Sequence, residues 1–97
     1  MKSPLTIRAF VLVSLASETD ALAPSTIAQL WRERYSEELY DGRFYRALAG
    51  LRRENLIMRL VRKPNDAARQ IVYGLTEPGK EEAAKLLFDI HALAVGD

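Results

Sequence analysis

The sequence predicts a mainly α fold with a small β-hairpin, a winged helix-turn-helix in the order helix, helix, helix, strand, strand, helix. Three observations carry that expectation. In RFYRALAGLRRENLI, Arg43 to Ile57, the residues Phe44, Leu48 and Leu51 recur at the i, i+4, i+7 spacing of a buried helical stripe. Two runs rich in Leu, Ile and Val follow, separated by Pro64-Asn65-Asp66-Ala67-Ala68, and read as an antiparallel hairpin. Thr76-Glu77-Pro78 then opens a last helix.

The first helix is expected from about Pro4 to Ala16, with Ser3 as its N-cap and Pro4 at its first position. Leu5, Ala9, Leu12, Val13 and Ala16 form its apolar face, with Phe10 and Leu15 at the margins. This start resembles a weak signal peptide, but its apolar part is interrupted, and a core helix is the better reading. Ser17 to Asp20 is a polar break. The second helix is expected over Ser25 to Arg34, announced by Pro24-Ser25-Thr26. Ile27, Leu30, Trp31 and the stem of Arg34 face inward. Trp31 reads as core filler rather than a ligand-stacking residue. Tyr35 to Asp41 is a connector, and Asp41 can cap the next helix.

The third helix runs from about Gly42 to Glu54. Asn55 suits the left-handed backbone of a helix exit. Strands are expected over Leu56–Lys63 and Arg69–Thr76. The last helix, about Pro78 to Ala94, is capped by Thr76. Ala83, Leu87, Ile90 and Ala94 share one of its faces. Ala84, Leu86, Phe88, Leu93 and Val95 add more apolar surface than a small core absorbs.

At 97 residues the chain makes one domain, residues 1–97, with the helix over about 78–95 as its dimerisation element. The apolar and charged fractions, 48% and 28%, are those of a globular protein. There is no cysteine and a single histidine, His91, so neither a metal nor any other cofactor is expected. The missing cysteines fit a reducing, cytoplasmic setting, and no apolar run is long enough to span a membrane.

The net charge of +1 hides its distribution. Residues 43–69 hold eight bases against two acids, a net +6, and the remainder holds six against eleven, a net −5. A basic third on an acidic chain is the footprint of a polyanion. Catalysis finds no support. Glu37, Glu38 and Asp41 sit at a helix start, where acids are favoured anyway. Ser25 and Thr26 read as capping residues with no base nearby.

In a winged helix the third helix lies in the DNA major groove, and the wing follows the adjoining backbone or minor groove. Arg43, Arg46 and Arg53, opposite the buried stripe, then face double-stranded DNA. Arg59, Arg62, Lys63 and Arg69 on the hairpin contact phosphate rather than bases.

The pattern Tyr45-x-x-Leu48-x-x-Leu51-x-x-x-Asn55-Leu56-Ile57, then Arg69-x-x-x-Tyr73-x-Leu75-Thr76-x-x-Gly79, resembles the PadR-like transcriptional regulators. MarR-like regulators share much of it, notably the Leu-Thr-x-x-Gly after the wing. The resemblance covers about half the chain by motif and the rest by element order. It implies a dimeric winged-helix repressor, with a recognition helix over about 42–54 and a wing over about 57–76. The family usually has glycine where this chain has Asn55. Many members carry a longer C-terminal region for dimerisation. Here the homodimer is expected to use the last helix with the first, through Leu86, Leu87, Ile90 and Leu93. Some members respond to small phenolic or hydrophobic effectors, for which no residue here argues. The alternative from another class is a winged-helix protein-interaction module without DNA readout.

Overall fold

The computed structural model describes residues 6–18, 21–39, 42–62 and 69–95, with the side chains of 90–95 left out. The elements are α1 (Ile7–Ser17), α2 (Pro24–Tyr35), α3 (Gly42–Arg53), β1 (Ile57–Arg62), β2 (Gln70–Leu75) and α4 (Glu77–Val95), the expected order.

Helix α1 begins later than expected. Thr6, in an extended conformation, is its N-cap, and its hydroxyl accepts from the Ala9 backbone N–H at 3.1 Å. Ser3, Pro4 and Leu5 lie outside the described residues. The buried face is also rotated from the expected one. Phe10, Val11, Leu12 and Leu15 are in the core, whereas Ala16 is exposed. An apolar residue at almost every position leaves the phase of the helix to its neighbours, and α1 packs against α3, α4 and β2.

Helix α2 also corrects an expectation. Its N-cap is Ala23, with no side-chain cap bond, and Pro24 opens the helix. Ser25 and Thr26 are exposed in the first turn and do not cap it. Ser36 ends the helix in the left-handed region, φ 53°, its N–H bonding to the Arg32 carbonyl at 2.8 Å. Trp31 is buried, with its ring edge-on to Phe10 at 5.0 Å between centroids and tilted against Tyr35 at 4.5 Å. Arg34 spreads over the Tyr35 ring instead of turning inward.

Helix α3 anchors itself completely. Phe44 and Leu51 are 0% exposed and Leu48 is buried beside them. The helix ends in a Schellman turn. Leu56 N–H bonds to the Leu51 carbonyl at 2.9 Å and Asn55 N–H to the Arg52 carbonyl at 3.0 Å, with Asn55 at φ 62°. Leu51 and Leu56 both lie in the core, the apolar contact that accompanies this motif.

The hairpin pairs Ile57 with Leu75 through to Arg62 with Gln70, so Leu56, Arg69 and Thr76, expected within the strands, lie outside the pairing. On its other edge β2 meets Leu22, which exchanges two backbone hydrogen bonds with Tyr73 at 2.9 and 2.7 Å. Lys63 and the loop 64–68 lie outside the described residues, as does the cap expected of Asp41.

Helix α4 starts at a tight joint. The Thr76 hydroxyl donates to the Asn55 carbonyl at 2.6 Å and accepts from the Gly79 N–H at 3.0 Å. Gly79 packs so closely that a Cβ there would stand 1.8 Å from the Leu56 carbonyl oxygen. The Leu-Thr-x-x-Gly motif is therefore steric as well as capping.

Candidate nucleic-acid interface

Burial of Phe44, Leu48 and Leu51 fixes which side of α3 meets solvent. Arg43, Arg46, Arg52 and Arg53 are all exposed. Arg43 lies 3.9 Å from the Glu37 carboxylate in the preceding connector. The Arg46 guanidinium folds back over Gly42, where a Cβ would meet its Nη1 at 3.1 Å. Small residues keep this face low, which suits close approach to another surface.

The wing brings further cations to the far end of the same helix. Arg59 is exposed on β1, and an open cleft of about 540 Å³ lies between Ala49, Arg52 and Arg53 on α3 and Ile57, Met58 and Arg59 on β1. Arg62 reaches across the hairpin to Gln70, its Nη2 donating to Oε1 at 3.1 Å, and Arg69 is exposed beside it. The expected cations Arg43, Arg46, Arg53, Arg59, Arg62 and Arg69 thus lie exposed on α3 and the wing, while Lys63 is outside the described residues. Arg52 was missed. Its helical phase sets it nearer Tyr45, but the three-residue exit from α3 turns β1 back past that side. The shortness of that exit was the available signal.

One ion pair holds this surface to the rest of the fold. Arg8 of α1 donates Nη1 and Nη2 to the two carboxylate oxygens of Glu54, at 2.6 and 2.7 Å. Those hydrogen bonds hold the Glu54 carboxyl below its ordinary range, helped by the charges of Arg8 and Arg53. Glu54 thus ties the end of α3 to α1.

A second groove is lined mainly by apolar residues, with Glu18 and Lys80 also on it. Leu15, Ala16, Ala21, Met58, Leu60, Ala84 and Leu87 line this open groove of about 470 Å³ between the end of α1, the outer face of the hairpin and α4. Among the residues expected at a dimer interface, Leu86 is half-buried against the core and Leu87 is exposed. The side chains of Ile90 and Leu93 lie outside the described residues. Phe88, which the sequence did not single out as an interface residue, is 72% exposed.

Among the described residues no cluster of His, Cys, Asp or Glu can hold a metal ion, and no helix is long and apolar enough to cross a membrane. Glu37 and Glu38 face Arg43 and Arg32, the latter at 3.2 Å, rather than each other across a cavity.

A buried-stripe helix after a helix-turn, followed by a two-stranded wing, defines a winged helix-turn-helix domain. Its fold is that of the PadR-like regulators. A PadR family transcription regulator from Clostridium difficile is 27% identical, with a TM-score of 0.74 over 91% of this chain and 90% of that one. RosR from H. salinarum is 26% identical, with a TM-score of 0.73 over 97% and 81%. Bacillus subtilis PadR, solved in complex with operator DNA, is 20% identical, with a TM-score of 0.68 over 84% of this chain and 46% of that one. No family model matches the sequence, and no curated protein matches it. The likeness is to transcription regulators.

Proposed function

We propose that the protein is a sequence-specific, double-stranded-DNA-binding transcription regulator of the cytoplasm, a repressor that acts as a homodimer by occupying an operator. One observation carries the reading: α3 buries its apolar stripe completely and presents arginines, and the wing adds more arginines at the end of the same helix. The likeness to a regulator solved on its operator supports it. Residues 42–54 are the recognition helix and 57–76 the wing. Arg43 and Arg46, at the amino end of α3, meet the groove first, with Arg53 a helix length behind. Arg46 reads a base edge in this proposal, as arginine does with guanine O6 and N7. Arg59, Arg62, Lys63 and Arg69 hold phosphates. The dimer forms through α4 with α1, where Leu87 and Phe88 stand in water. Large exposed apolar patches mark association, and a two-fold dimer presents two recognition helices to half-sites about one DNA turn apart.

Mobility shift on random duplexes at several salt concentrations tests the reading. Two subunits neutralising on the order of 6–10 phosphates give a steep log–log salt slope. A flat response, or no duplex binding at low salt, removes it. On selected operators, Arg46→Ala is expected to weaken specific binding by about 1–3 kcal/mol and random binding far less. Arg62→Ala weakens both alike. Equal losses for Arg46→Ala on the two kinds of DNA would assign Arg46 to phosphate.

A further inference from the structure

The wing carries an apolar pair that a purely basic surface does not explain. Val61 and Ile71 are direct cross-strand partners, on the hairpin face that also carries Arg59 and Tyr73. At its base that face is buried, with Ile57 and Tyr73 in the core. Further along the same face Val61 and Ile71 stand 60% and 43% exposed. Facing β-branched side chains support the ladder, but their outer surfaces stay in water and gain nothing from the fold.

The surroundings restrict what can cover them. Arg59 stands two residues before Val61 on the same face and lines the cleft with Arg52 and Arg53. Arg62 and Arg69 flank the pair along the two strands, and the described wing residues, 57–62 and 69–75, include no acid. A fitting occupant offers anionic walls with apolar surface between them. A duplex groove has that character, with phosphates on its rims and deoxyribose carbons inside.

We infer that Val61 and Ile71 form an apolar reader on the wing, which lies in the minor groove and favours A·T over G·C pairs beneath it. The inference rests on the DNA-binding reading above. When α3 occupies the major groove, the wing follows the adjoining minor groove. There the guanine N2 amino group distinguishes G·C from A·T. It stands up from the groove floor, and two aliphatic side chains strip its water without offering an acceptor. A·T pairs lack that group and admit the pair to the depth where it touches sugar carbons. The arginines hold the wing down, and the pair decides where it settles.

Val61→Thr combined with Ile71→Thr keeps both positions β-branched and strand-compatible while replacing apolar surface with hydroxyls. The probes are duplexes selected by the wild-type protein from a random pool. The base pairs under the wing are located by hydroxyl-radical footprinting and changed from A·T to G·C. Anisotropy titrations are run across a salt series. The wild type is expected to bind the G·C duplex about tenfold more weakly. The double variant is expected to lose about tenfold on the A·T duplex and most of the preference. Its salt slope stays unchanged, because no phosphate contact is removed, and retained binding to random duplex shows that it is folded. A variant with wild-type affinity and preference overturns the inference and leaves the DNA reading standing. A salt slope reduced by about one phosphate also overturns it, since the pair would then act only by positioning arginines. If the wild type binds no duplex at low salt, the DNA reading itself falls and takes the inference with it.

Discussion

Helices α3 and α4 are both amphipathic, and they treat their apolar residues in opposite ways. Helix α3 puts its whole stripe out of reach of water and spends its exposed side on arginines and small residues. Helix α4 buries Ala83, half-buries Leu86 and leaves Leu87 and Phe88 outside. Each exposed side names a different kind of partner. A cationic face on a fully anchored helix suits a polyanion, and an apolar face beside an apolar groove suits a second apolar surface. On the proposed function, the division puts DNA contact and assembly on separate elements, so each could be altered without the other.

The harshest way to break the comparison is to weaken the anchor of α3. Leu51→Ala is expected to cost about 2–5 kcal/mol in urea unfolding, as for large-to-small changes in a tight core. A loss below about 1 kcal/mol would mean that the stripe does not hold the helix. The second way is to charge the exposed side of α4. Leu87→Glu with Phe88→Glu is expected to leave monomer stability within about 1 kcal/mol, since both are surface sites. It should convert the dimer to monomer in sedimentation equilibrium and weaken operator binding. A wild type that is already monomeric at tens of micromolar would leave α4 without its partner. Leu86 is a poor site for this test, because its contact with the core would confound folding with assembly.

The smallest effect sharpens the α3 side. The carboxyl of Glu54 titrates below its ordinary value of 4.5, because Arg8 bonds its charged form. A lowered folded pKa gives stability that is present above the unfolded value and is lost as pH falls through the folded one. Wild type and Glu54→Gln should therefore differ slightly in melting temperature at pH 7 and converge as pH falls below the ordinary carboxylate range. A difference that persists in acid would show that shape, not charge, joins α1 to α3.

Element order and the stripe of α3 were legible because each rests on a local period: three to four residues for the helix, two runs and a turn for the hairpin. The left-handed exit at Asn55 was legible because few residue types take that backbone. The missed features depend on which surfaces meet. Ser3 and Thr6 both carry capping hydroxyls, and where α1 starts decides which is used. Val11 lies buried because α1 touches α2, α3, α4 and β2, which no periodicity within α1 records. Leu22 joins the sheet as one residue, too short for any pattern. Excess apolar surface on α4 was visible in the sequence, but its division between Leu86 inside and Phe88 outside follows from which side of α4 packs against α1 and the core.

The joint around Gly79 has a consequence for the architecture of an operator complex. Thr76 clamps the first turn of α4 to the Asn55 carbonyl, and the missing side chain at Gly79 lets the helix backbone rest on Leu56. At this joint the exit of α3 is bonded directly to the first turn of α4, with no slack among the joined residues. A dimer formed through α4 thus behaves as a rigid caliper, whose gap is set where α4 leaves the wing. The operator's half-site spacing would then be determined at a residue that touches neither DNA nor the partner. Gly79→Ala would act first on that gap, before any contact at either surface is lost.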